Sequence, residues 1–118
     1  MKLVLKPVKF ISAQDLSSSF TAALPSTLQV DLVGIQLNYS GAPVGTIEVQ
    51  GSLDNVNFSS LYLSVNGNSA TSIAIPGNTS PIAIDLYGSA MPYLRIKYNR
   101  TGGTGSMDGF VTYKRLGD

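Results

Sequence analysis

The sequence predicts an all-β chain, a two-sheet antiparallel β-sandwich of jelly-roll-like form, and three observations carry that prediction. Apolar residues recur with period two in short runs, Ile82, Ile84 and Leu86 or Leu94, Ile96 and Tyr98 among them. The runs are separated at even intervals by Gly, Pro, Asn and Ser, the residues that turn a chain. No stretch carries the 3.6-residue period of a convincing helix. An oligonucleotide-binding barrel is the competing arrangement, but about eight to nine short, evenly spaced strands prefer two packed sheets.

Taken in order, residues 2–11 read as a strand around Pro7, with Leu3, Leu5 and Phe10 among its apolar positions. The Ser-rich segment 12–19 reads as a turn, and 19–23 as a short strand ended by Pro25. Leu28, Val30 and Leu32 share one parity, then Ile35, Leu37 and Tyr39 resume on the other, which predicts a long bent strand with a bulge at Val33-Gly34. Ser40-Gly41-Ala42-Pro43 turns the chain into residues 44–51, with Ile47 and Val49 inward, and these two pieces read as a hairpin with one wet face.

Residues 51–58 form a polar loop in which Val56 and Phe58 are expected to anchor on the core. Leu61–Val65 reads as a strand, Asn66-Gly67-Asn68 as a type I′ turn and 71–75 as its partner. Residues 81–87 follow with Ile82, Ile84 and Leu86 on one face. Strand 93–99 then puts Leu94, Ile96 and Tyr98 inward and Tyr93, Arg95 and Lys97 outward. Gly-rich residues 101–105 turn into a last strand marked by Met107, Val111 and Tyr113.

A chain of 118 residues is one domain, 1–118, and is long enough to bury a core without staples. It holds no cysteine and no histidine, which removes thiol nucleophiles, imidazole bases, disulfides and Cys/His zinc sites. Only 13% of its residues are charged and the formal net charge is +1, against about 25% charged in ordinary soluble chains. Such a surface costs little to desolvate against another protein, which leans toward an assembled state. Lys6, Pro7 and Lys9 interrupt the amino-terminal apolar run before a signal-peptide core forms, and no run is long enough to predict a membrane span.

Several residue groups invite chemistry, and each has a plainer explanation. The glycines of 101–105 lack the Lys-Ser or Lys-Thr of a phosphate loop and serve as turn residues. Asp54, Asn55 and Asn57 offer oxygens to calcium, but no glutamate closes the set, and an Asx turn accounts for them. Asp15, Asp31, Glu48, Asp54, Asp85 and Asp108 are the carboxylates from which a glycosidase pair would come; surface solubility and turn capping are sufficient reasons for them.

Arg95, Lys97 and Arg100, interleaved with Tyr93 and Tyr98 and joined by Lys114-Arg115 across the expected last hairpin, resemble a phosphate-and-base surface. Tyr98 falls on the inward parity and the net charge is small, so a solvated or subunit-facing strand face is the better explanation and nucleic acid is not an expected partner. Tyr62, Tyr87 and Tyr93 are candidate sugar-stacking residues of a carbohydrate-binding module, with no tryptophan to strengthen the platform. The sequons at Asn38, Asn57, Asn78 and Asn99 follow from a composition rich in Asn, Ser and Thr.

Read together, the phrases Gln14–Ser17 with Ser19-Phe20-Thr21, Val44–Asp54, Val56-Asn57-Phe58, Pro92–Tyr98 and Thr101–Gly105 resemble a group of small virion proteins of tailed bacteriophages. The resemblance spans most of 14–115 and departs from the pattern at Leu53 and at Phe58, where tryptophan is sometimes found. It implies a β-sandwich that decorates or cements a phage particle, forms a homo-oligomer, and contacts the major capsid or another virion protein. It brings no active-site residues, no cofactor and no metal. On that reading the protein is a non-enzymatic virion component whose interface residues are Leu3, Leu5, Phe10, Tyr93, Arg95 and Lys97, with strand 1–11 as an edge or subunit-pairing element. The alternative is a carbohydrate-binding module using Tyr62, Tyr87 and Tyr93.

Overall fold

A computed structural model describes residues 7–25, 32–65, 68–77, 80–87 and 91–114. Their strands are β1 (Val8–Asp15), β2 (Phe20–Ala23), β3 (Leu32–Gly41), β4 (Val44–Ser52), β5 (Ser59–Ser60), β6 (Leu63–Val65), β7 (Asn68–Ala70), β8 (Ile73–Ile75), β9 (Ile82–Tyr87), β10 (Tyr93–Gly102) and β11 (Gly105–Lys114). One sheet has the order β1-β11-β3-β9-β6-β7 and the other β2-β10-β4-β5, with β8 beside β5 on the outer edge of β4. Every pairing is antiparallel. The two-sheet sandwich is therefore the fold.

The period-two pattern fills the space between the sheets. Val33, Ile35, Leu37, Ile82, Ile84, Leu86, Met107 and Val111 come from one sheet and Ile47, Val49, Ile73, Ile75, Leu94, Ile96 and Tyr98 from the other, all buried in one cluster. Tyr98 is large enough to need a polar outlet: its hydroxyl donates to the Val44 carbonyl at 3.4 Å, while its ring meets Phe20 at 5.7 Å. Burial pushes the Tyr98 hydroxyl above its ordinary pKa, since the phenolate is the form that loses solvation.

The connections depart from the expected hairpins. β3 and β4 lie in different sheets, as do β10 and β11, so residues 42–43 and 103–104 are arches across the sandwich. The link between β1 and β2 is a third arch. The three stand side by side at one end, with 103–104 in the middle: Leu16 N–H donates to the Gly105 carbonyl and Ala42 N–H to the Thr104 carbonyl, both at 2.9 Å. Gly103, at φ +69°, permits this approach, because a Cβ there would stand 2.0 Å from the Ala42 carbonyl oxygen. Alternation dictates which face a residue shows and leaves open which sheet the next strand joins, so the same Gly-containing links read as tight turns.

Three other expectations change. Segment 12–19 is only partly a turn, because β1 continues to Asp15 through irregular pairing and Ala13 takes φ 48° as its bulge residue. Asp108 holds that bulge by accepting the Ala13 N–H at 2.7 Å. The bulge expected at Val33-Gly34 is absent: β3 pairs with β11 without a shift from Leu32 to Gly41, and Val33 shares the buried parity of Ile35 and Leu37. The partner of Leu63–Val65 is Asn68–Ala70, whereas Ile73–Ile75 crosses to pair with β4. The Asn66-Gly67 turn, the strand positions Leu28 and Val30, and residues 1–6 with Leu3 and Leu5 lie outside the described residues.

Candidate functional site

The outer face of the five-stranded sheet gathers the polar side chains that alternation turns away from the core. Antiparallel register sets Tyr93 opposite Ser52, Arg95 opposite Gln50 and Lys97 opposite Glu48, with Ala23 and Thr21 flanking Arg95 and Lys97 on the other side. Arg95 Nε donates to Gln50 Oε1 at 2.8 Å. Glu48 is the acceptor hub of the same face, taking Asn99 Nδ2 at 2.8 Å and the Ser60 hydroxyl on its other oxygen. The Ser60 hydroxyl bond, helped by Asn99, Gln50 and the charge on Lys97, holds the Glu48 carboxyl below its ordinary pKa against a smaller opposing effect of burial.

Loop 52–58 closes one end of this face, and Asp54 organises it. Buried Ser52 donates its hydroxyl to Asp54 Oδ1 at 2.8 Å and accepts the Asn55 N–H at 2.9 Å. Asp54 Oδ1 also accepts the N–H groups of Val56 and Asn57 at 2.9 and 2.8 Å, and Oδ2 accepts Asn57 Nδ2 at 2.9 Å. The Asn57 and Val56 backbone bonds lead in holding the Asp54 carboxyl far below the usual carboxylate range. Both oxygens are thus committed to the loop itself, and the Asx-turn explanation of this cluster holds. Among the described residues no group of three or more His, Cys, Asp or Glu is arranged to hold a metal ion.

The loop's apolar residues do not go where the sequence suggested. Val56 is 77% exposed rather than anchored on the core. Phe58 leaves the core too, and lies under the Arg95 guanidinium with 3.9 Å between the guanidinium carbon and the ring centroid. Phe58, Arg95 and Tyr93, together with Thr21, Ala23, Leu24, Asn55, Pro92 and Leu94, line an open cleft of about 440 Å³. The partnership of Phe58 and Gln50 with Arg95 was not read from the sequence. Parity alone put Gln50 and Arg95 outward, but only the return of the loop brings Phe58 back over β10.

The expected interface residues are spread over two sheets. Tyr93, Arg95 and Lys97 share the outer face of β10, whereas Phe10 lies on edge strand β1 of the other sheet and packs partly on the core. Of the candidate sugar-stacking residues, Tyr62 is 79% exposed in the link between β5 and β6, and Tyr93 is 43% exposed at the cleft. Tyr87 belongs to β9 in the opposite sheet, and Tyr62 does not line the cleft, so the structure does not gather the three into one platform.

The basic cluster also comes apart. Tyr98 is buried, Arg100 donates twice to the Gly103 carbonyl at 3.0 and 2.8 Å, and Lys114 lies on β11 in the other sheet. Asp15 and Asp108 sit in separate local networks: Asp15 accepts the Ser17 N–H at 2.9 Å, and Asp108 accepts the Ala13 N–H and pairs with Lys9 at 3.4 Å. Among the described residues no helix is long and apolar enough to cross a membrane.

No protein-family model matches the chain, and no curated protein matches it. Among solved structures, the crystal structure of the SPBc2 prophage-derived protein YomS is similar, with a TM-score of 0.71 and 11% sequence identity over 95% of this chain and 97% of that one. At that identity the likeness establishes the fold: the same sandwich, at nearly the same length, occurs in a prophage-derived protein.

Proposed function

We propose that the chain is a non-enzymatic virion protein of a tailed bacteriophage, a capsid decoration or cement protein or a related head or tail component. The observation that carries this reading is the end-to-end likeness to a prophage-derived protein, which agrees with the phrases of 14–115 that resemble phage virion proteins. A polar surface with few charges supports it, because such a surface is readily covered by protein. In this role the chain forms a homo-oligomer and contacts the major capsid or another virion protein. Residues 1–11 supply the pairing edge, and Tyr93, Arg95 and Lys97 form a second contact face. Mass spectrometry of purified particles of the encoding phage tests the assignment. The chain is expected at a fixed ratio to the major capsid or tail protein, and its absence from washed particles overturns the proposal.

A second reading, carbohydrate binding, is favoured by one feature, the cleft beside half-exposed Tyr93. An aromatic wall with polar groups at the rim suits a sugar ring, and such a module operates equally well on a particle surface. Saturable binding to a glycan array, lost on Tyr93→Ala, is the expected outcome of that reading; a blank array contradicts it.

A further inference from the structure

We propose that the cleft beside Tyr93 takes an acidic saccharide, with the Arg95 guanidinium receiving the carboxylate and Tyr93 the face of the sugar ring. The proposal deepens the carbohydrate reading and names the class of sugar. Arg95 is a fixed cation rather than a waving one. Its Nε is bound to Gln50 at 2.8 Å and its guanidinium carbon stands over the Phe58 ring, 3.9 Å from the centroid. Those contacts leave the outer Nη edge of the fork, the edge that grips a carboxylate through two parallel hydrogen bonds.

Among the described residues no carboxylate comes within ion-pair distance of Arg95, and the ion pair that does form, Lys9 with Asp108, is on the other sheet. Glu48, the acidic group of this face, stands opposite Lys97 and is occupied by Asn99 and Ser60. Among the described residues the cleft therefore presents one oriented positive charge with no ion-pair partner. Beside it are the apolar walls of Tyr93, Pro92 and Leu94 and the polar Thr21 and Asn55, in a volume of about 440 Å³. A ligand that matches all of this has a carboxylate, a ring with an apolar face and hydroxyls at its rim. A neutral sugar leaves the guanidinium edge unused, and a bare anion leaves the aromatic wall unused.

The test is calorimetric titration of the full chain with short uronate and sialate oligosaccharides, each beside its own methyl ester, with chemical-shift mapping of the contact. The ester keeps the ring and removes only the charge. Expected are saturable binding of at least one acid form, a loss of ~10-fold or more on esterification, and shifts centred on Phe58, Tyr93 and Arg95. Tyr93→Ala should weaken the acid form, and Arg95→Gln should erase the acid-over-ester preference. Because Arg95 also packs on Phe58, the acid-to-ester ratio of the unaltered chain decides the matter without any variant. Equal binding of acid and ester overturns the carboxylate role while the carbohydrate reading stands. No saturable binding to either form overturns both, as does binding that maps elsewhere, and equal binding of an oligoglutamate shows simple charge attraction and also overturns the proposal.

Discussion

Asp54 shows how a single carboxylate shapes this surface. Its folded pKa lies below its ordinary value near 3.8, so its contribution to the loop is intact above about pH 4 and is withdrawn as the pH falls toward the folded value. Protection of the Val56 and Asn57 amides, relative to their intrinsic exchange rates, should therefore fall in acid, and Asp54→Ala should produce the same loosening at neutral pH. Unchanged exchange in the variant contradicts the assignment. Gly103 makes a second residue-level prediction. Gly103→Ala places a methyl group against the Ala42 carbonyl and forces an L side chain to φ +69°. Backbone strain alone should cost about 1–3 kcal/mol, measured by chemical denaturation.

At the level of strands, alternation makes the buried faces of β4, β9 and β10 legible in the sequence. Ile47 and Val49, Ile82, Ile84 and Leu86, and Leu94, Ile96 and Tyr98 all lie in the core as their spacing required. Ile96→Ala should therefore cost ~2–5 kcal/mol, whereas Tyr62→Ala, at an exposed link, should stay within about 0.5 kcal/mol. Equal losses in the two variants contradict that division. The partners of strands were less legible, because Gly41 and Gly103 satisfy a hairpin and an arch equally and only packing at the end of the sandwich selects the arch. The site was legible only in its outward residues, Tyr93, Arg95 and Lys97. Phe58 and Gln50 join Arg95 through contacts 37 and 45 positions apart in the chain, which no local pattern encodes. β1 carries its own prediction: deletion of residues 1–9 should abolish self-association while preserving most β-structure. Light scattering after size exclusion checks it, and an unchanged oligomeric state contradicts the pairing role of that edge.

For the whole molecule, the three stacked arches and the cleft-bearing loop 52–58 occupy opposite ends of the sandwich, as the register of β4 and β10 requires. The fold presents an edge strand, β1, and an outer face of the five-stranded sheet whose residues Tyr93 and Arg95 also line the cleft at one end of that face. On the proposed virion reading the β1 edge carries self-association, and a partner protein that covers Tyr93 and Arg95 excludes a saccharide from the cleft. On the proposed function, the core residues act by fixing the positions of those surfaces. Cryo-microscopy of the encoding phage particle tests the virion assignment most directly. The account predicts symmetric copies of a 12.4 kDa sandwich seated on the head or tail. A reconstruction at a resolution that traces every abundant protein, with no copy of this chain in it, would contradict the account.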